Sequence, residues 1–200
     1  MNFLFRKLFR NTIPPAKEGD FLVRMVSGSA YQVFLDAQFR KLSNFEKQSQ
    51  IEKDRIFNEL VVTALILLIS AIRDNFPRIE EERQEFRQTV QEKIPDIFID
   101  WLNGLKVERN YVDIWRKLID MRLGEYQEKQ SLTRGIWMEE LIKNQDSEKF
   151  NDAAVRVETL TVSSMLHITR GRAKRDDPLR RHLRTWLAVL NNKLAERIGW

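Results

Sequence analysis

Two histidines, His167 and His182, and no cysteine are the whole stock of imidazole and thiol in these 200 residues. Thiolate metal sites, disulfides and cysteine nucleophiles are therefore excluded, and a reducing, cytoplasmic setting is expected. Di-iron bundles place ligands at E-x-x-H spacing, but Ser164 stands three residues before His167 and Leu179 three before His182. Neither standard glycine-rich phosphate loop occurs, nor does H-E-x-x-H. His167 reads as a partly buried histidine bonded to a neighbour. His182, among arginines, reads as solvent-facing. Glu80, Glu81, Glu82 and Glu85 point in different directions on a helix and read as a solvated first turn. No catalytic residue, metal, cofactor or small-molecule substrate is expected, and the chain reads as a non-enzyme.

Two basic stretches stand above this background. Residues 1–17 carry Arg6, Lys7, Arg10 and Lys17 with no acid. At about 100° per residue, Leu4, Phe5, Leu8 and Phe9 share one helical face, and Arg6, Lys7 and Arg10 lie opposite. Such a helix can lie in a bilayer interface, with apolar groups among acyl chains and cations near phosphates. It can equally dock on its own bundle, meet a partner protein or act as a targeting segment. The second stretch is Arg170, Arg172, Lys174 and Arg175, followed by Arg180, Arg181 and Arg184. Clustered Arg and Lys supply the sequence-independent part of nucleic-acid affinity. No aromatic is interleaved for base stacking, and Asp176 and Asp177 offset part of the charge. The cluster can therefore also be a solvated loop, or one paired with the more acidic middle of the chain.

The elements that would position these groups read as helices. Seven Gly and five Pro are few for a turn-rich β fold, and 42% hydrophobic residues suffice for a core. The expected fold is an all-α, single-domain bundle of about seven helices, over residues 20–200, preceded by a short basic amphipathic helix and linker over 1–19. Asp20 is expected to cap the first bundle helix, whose inward face holds Phe21, Leu22, Met25, Val26, Val33 and Phe34. Gly28, Ser29 and Ala30 offer a place for close helix approach. Ser43 and Glu46 have the spacing of a capping box, which would open a long helix at Asn44.

Within that helix, Leu60 to Ile72 is apolar on every side and belongs at the bundle centre. Its thirteen residues fall short of the roughly 20 that a membrane span needs. Pro95 is expected to end one helix and start another, with Gly104 near the next end. Separate helices are then expected around Tyr111–Met121 and Ile136–Ile142. Trp101, Trp115 and Trp137 are placed in the core, and Trp200 folds back or awaits a partner. Val155 to Val162 has strand-like alternation, yet a lone strand would lack a partner, so a helix is expected. Asp177 and Pro178 open the last helix, with Leu179, Leu183, Trp186, Leu187, Leu190, Leu194 and Ile198 inward.

The reading that follows is a non-enzymatic interaction or adaptor protein held peripherally at an anionic membrane by Leu4–Arg10. The alternative is an RNA- or DNA-binding accessory protein using Arg170–Arg184.

Overall fold

The computed structural model describes residues 14–74, 81–143, 152–172 and 177–198. Among them are seven α-helices and no strand: α1 (Pro15–Leu35), α2 (Ala37–Leu42), α3 (Gln50–Asp74), α4 (Glu81–Gly104), α5 (Arg109–Lys143), α6 (Asp152–Thr169) and α7 (Pro178–Ile198). One 3-10 turn, Phe45–Lys47, sits between α2 and α3. Every residue from Glu59 to Ile72 is buried, and α3 is flanked by α1, α4, α5, α6 and α7. The stretch that reads as apolar all round is thus the central helix of the bundle. By length and composition α3 is the one described helix that could cross a membrane, but its apolar window is mostly covered by the other helices.

The boundaries differ from expectation where local chemistry was misassigned. α1 opens at Pro15, behind Pro14, so Asp20 lies inside it, where it pairs with Arg24 at 2.9 Å. Gly19 is no linker breaker. It is buried, and a Cβ there would stand 2.4 Å from Ile97 Cδ1, so this glycine is where α1 meets α4. Gly28, by contrast, has open space around it. Ser43 caps no helix start: it closes α2, and Glu46 turns back to Arg40 at 2.5 Å. α3 begins six residues later, where Ser49 Oγ accepts from the amide of Glu52 at 3.3 Å. Ser49-x-x-Glu52 is the same signature in the correct register.

Pro95 does not divide α4. It forfeits one backbone donor inside a continuous helix, held by buried Val90, Ile94 and Phe98 on its inner face. The helices expected around Tyr111–Met121 and Ile136–Ile142 are one, α5. The turn after α4 is made by Lys106 (φ 60°), not Gly104, with the Val107 amide reaching back to the Leu102 carbonyl at 3.2 Å. Residues 152–169 are helical, and the inward stripe of α7 is buried throughout, behind Asp177 whose Oδ1 accepts from Leu179. Phe21 departs from its expected inward place. It is exposed and lies beneath the Arg197 guanidinium, 4.7 Å from ring centroid to Cζ.

Polar groups cross-link the layers. Arg156, 2% exposed, donates to Asp74 Oδ2 (2.7 Å) and to Asn191 Oδ1 (2.8 and 3.2 Å), joining α6, α3 and α7. Gln130 of α5 adds a bond to Asp74 at 3.1 Å. Glu18, buried in the first turn of α1, faces Arg197 of α7 at 2.9 Å and Arg87 of α4 at 4.0 Å. Buried charges persist only when paired and hydrogen-bonded, and each of these is.

Candidate functional site

Of the basic C-terminal cluster, Arg170 holds the left-handed position (φ 53°) that ends α6 and pairs with Glu52 of α3. Gly171 completes the turn, its amide reaching the Leu166 carbonyl at 2.8 Å. Arg55 caps the same helix end, donating to the carbonyls of His167 (2.5 Å) and Ile168 (3.0 Å). Arg180 and Arg184 both turn onto Glu158, the second at 3.5 Å. Arg172 and Arg181 are exposed, with no carboxylate partner among the described residues. The cluster is therefore split: three arginines are tied to carboxylates of α3 and α6, and two face outward apart from them. Lys174 and Arg175 lie outside the described residues, as do Leu4, Phe5, Arg6, Lys7, Leu8, Phe9, Arg10 and Trp200.

His167 is the bonded, partly buried histidine expected. Its Nε2 lies 2.9 Å from both oxygens of Glu125. Glu125 also accepts from Lys129 and from Arg122 Nη1 (3.2 Å), and Arg122 grips buried Glu59 through two donors at 2.6 and 3.0 Å. Burial alone would raise the Glu125 carboxyl, but the Lys129 hydrogen bond and the His167 charge outweigh it and hold it below its usual range. Buried Tyr126 is pushed the other way, its phenol raised by desolvation and by Asp74. These groups surround a cavity of about 20 Å³, lined also by Thr63, Ser163 and Ser164. That is room for one water, and Ser163 Oγ, buried without a hydrogen-bond partner among the described residues, is a group such a water would satisfy. A histidine–carboxylate pair can act as a general base, yet it needs space for a substrate beside it. The cavity here holds about one water. The cluster ties α3, α5 and α6 together through Glu59, Arg122, Glu125 and His167. Among the described residues no three Asp, Glu or His side chains converge as metal ligands do.

Space is found instead at the surface, between α1, α2 and α7. A groove of about 740 Å³ runs there, with Val33, Leu42, Trp186 and Val189 forming its apolar lining. Trp186 is fixed in place because its Nε1–H donates to Ser29 Oγ at 2.9 Å. Val189 is nearly half exposed although it lies on the amphipathic α7. Arg181 and Lys193 stand along the same wall. His182 is half-buried rather than simply solvent-facing: it lines the groove with Nε2 3.3 Å from Asp36 Oδ1 and its ring tilted over Phe39. Asp36 Oδ1 also accepts the Phe39 amide at 2.7 Å and so caps α2.

Sequence reasoning missed this groove. Trp186 belongs to the buried stripe of α7 as expected and Arg181 is exposed, and the signal that could have joined them in a groove was Val189, a large apolar residue off that stripe. Fold and groove together define an all-α bundle with an open inter-helix cleft. Comparisons with protein-family models, curated proteins and solved structures found no match for this chain.

Proposed function

We propose that this chain is a non-enzymatic helical interaction protein that docks a partner in the groove between α1, α2 and α7. The observation that carries this reading is the groove itself: half-exposed Val189 stands in a concave cleft floored by the edges of Val33, Leu42 and a hydrogen-bonded Trp186, on a surface otherwise rich in paired charges. Nucleic-acid binding through Arg170–Arg184 is the weaker alternative, because Arg170, Arg180 and Arg184 already face carboxylates.

A photo-reactive phenylalanine analogue placed at exposed position 189 of the full chain, in its native cells, tests the groove. A discrete protein adduct is expected from position 189, absent from a control at exposed Gln88 and abolished by Thr185→Arg. Equal labelling from both positions, or adducts to nucleic acid alone, would sink the reading.

Peripheral attachment to an anionic membrane through Leu4, Phe5, Leu8 and Phe9, with Arg6, Lys7 and Arg10 on phosphates, belongs to the same proposal. Its support is the opposition of apolar and basic faces in the sequence. Because α1 opens at Pro15, the deletion should stop at residue 12, ahead of that helix, with circular dichroism checking that the bundle still folds. Flotation with phosphatidylserine vesicles at low salt is expected for the full chain and lost on that deletion. Unchanged flotation after deletion would remove the membrane half of the proposal.

A further inference from the structure

The groove has an electrostatic sign as well as a shape. Arg181 and Lys193 line it twelve residues apart on α7, about 18 Å along a helix rising 1.5 Å per residue. Both are exposed and without a carboxylate partner among the described residues. Their neighbours Arg180 and Arg184, by contrast, are drawn onto Glu158. Asp36, the one acidic lining residue among the described residues, is already engaged by the Phe39 amide and faces His182. An incoming ligand thus meets an apolar floor flanked by two cations that no carboxylate of the described residues engages.

Resting on the docking reading above, we infer that the occupant is an acidic amphipathic α-helix of a partner protein. Apolar side chains at i, i+3 or i+4 and i+7 would lie on exposed Val189 and against the edges of Leu42, Val33 and Trp186 that reach the groove, the usual anchoring of a helix in a groove. Carboxylates roughly three turns apart on its flank would reach Arg181 and Lys193. Complementary charge of this kind raises association rate and selects partners more than it adds affinity. Nucleic acid fits less well. Two separated cations give few phosphate contacts, and the Trp186 indole, buried and hydrogen-bonded to Ser29, offers no stacking platform. A bilayer would have to enter a concave cleft.

The test uses the ¹⁵N-labelled full chain and three 18-residue helical peptides sharing one leucine face, with Glu, Gln or Lys on the flanks. The Trp186 indole N–H resonance reports occupancy. The Glu peptide is expected to bind about threefold to tenfold tighter than the Gln peptide at low salt, chiefly through faster association. That preference should vanish in Arg181→Gln/Lys193→Gln, while the Gln peptide still moves the Trp186 resonance. Equal affinity of the Glu and Gln peptides would overturn the acidic partner and leave the groove reading standing. No movement of Trp186 with any peptide would overturn both. Displacement of the Glu peptide by a 20-nucleotide single-stranded DNA would overturn the helix in favour of nucleic acid.

Discussion

Arg156 shows how much rests on one side chain that the sequence disguised. It sits between Val155 and Val157 in a run with strand-like alternation, and nothing local announces that its guanidinium is the joint between Asp74 and Asn191. Long-range partners of this kind, 82 and 35 residues away, leave no periodic trace. Arg156→Met keeps the volume but strands Asp74 and Asn191 in the interior, and breaking a buried pair from one side costs about 3–5 kcal/mol. Urea denaturation should show that loss; a cost below about 1 kcal/mol would mean Gln130 and Arg73 suffice to satisfy Asp74. Gly19 offers a sharper test because the effect of replacing it should depend on one neighbour. In the natural chain, Gly19→Ala puts a Cβ against Ile97 Cδ1, the end of a half-buried side chain that must turn aside. Turning Ile97 offsets part of the alanine's helix propensity, about 1 kcal/mol better than glycine's. With Ile97→Val that atom is gone, and Gly19→Ala should then stabilise by more. The double-mutant cycle in urea reads the difference, and the same effect in both backgrounds would mean the contact is not what favours glycine there.

At the scale of elements, helices were legible wherever one face alternated strongly with the other. The central apolar stretch 60–72 and the 3–4 stripe of α7 were placed correctly because burial dictates both patterns. The ends were legible only in part. Capping-box spacing occurs at both Ser43 and Ser49, and only the tertiary fold decides between them, through the Arg40–Glu46 and Arg170–Glu52 pairs. Pro95 misled because a local rule about proline was outweighed by packing on both sides of it. The helix stop after α4 misled too, since it places Lys106 where glycine is usual, while α6 ends at Thr169 with Arg170 in the same left-handed position. A non-glycine residue in the left-handed region costs about 1–2 kcal/mol, partly offset by glycine's greater freedom when unfolded. Lys106→Gly should therefore stabilise by about 0.5–1 kcal/mol. Arg170→Gly should gain less, since it also gives up the pair with Glu52. Urea midpoints for the two variants check the order, and a larger gain for Arg170→Gly would show that the Glu52 pair contributes nothing.

Over the whole molecule, the uneven charge seen in the sequence resolves into ties between distant segments: Arg170 to Glu52, Arg180 to Glu158, Arg197 to Glu18 and His167 to Glu125. The candidate groove was illegible for the same reason, since it is made by three helices that no local pattern brings together. These ties also set how the bundle meets acid. Glu52 is held below its usual 4.5 by hydrogen bonds from Arg170 and Arg55, and Glu125 by Lys129 and His167 against its own burial. Both carboxyls thus bind protons more weakly folded than unfolded. Their contribution is fully present above pH 4.5 and is lost as pH falls through the lower folded values. The urea midpoint should therefore hold level from neutrality to about pH 5 with respect to these two groups and then decline. Glu52→Gln/Glu125→Gln should start lower at neutral pH, where the charges are missing, and decline less steeply below pH 4.5. If the variant instead loses stability on acidification as steeply as the natural chain, the acid response belongs to other carboxylates, with Glu18 and Glu59, both buried against arginines, the next to replace.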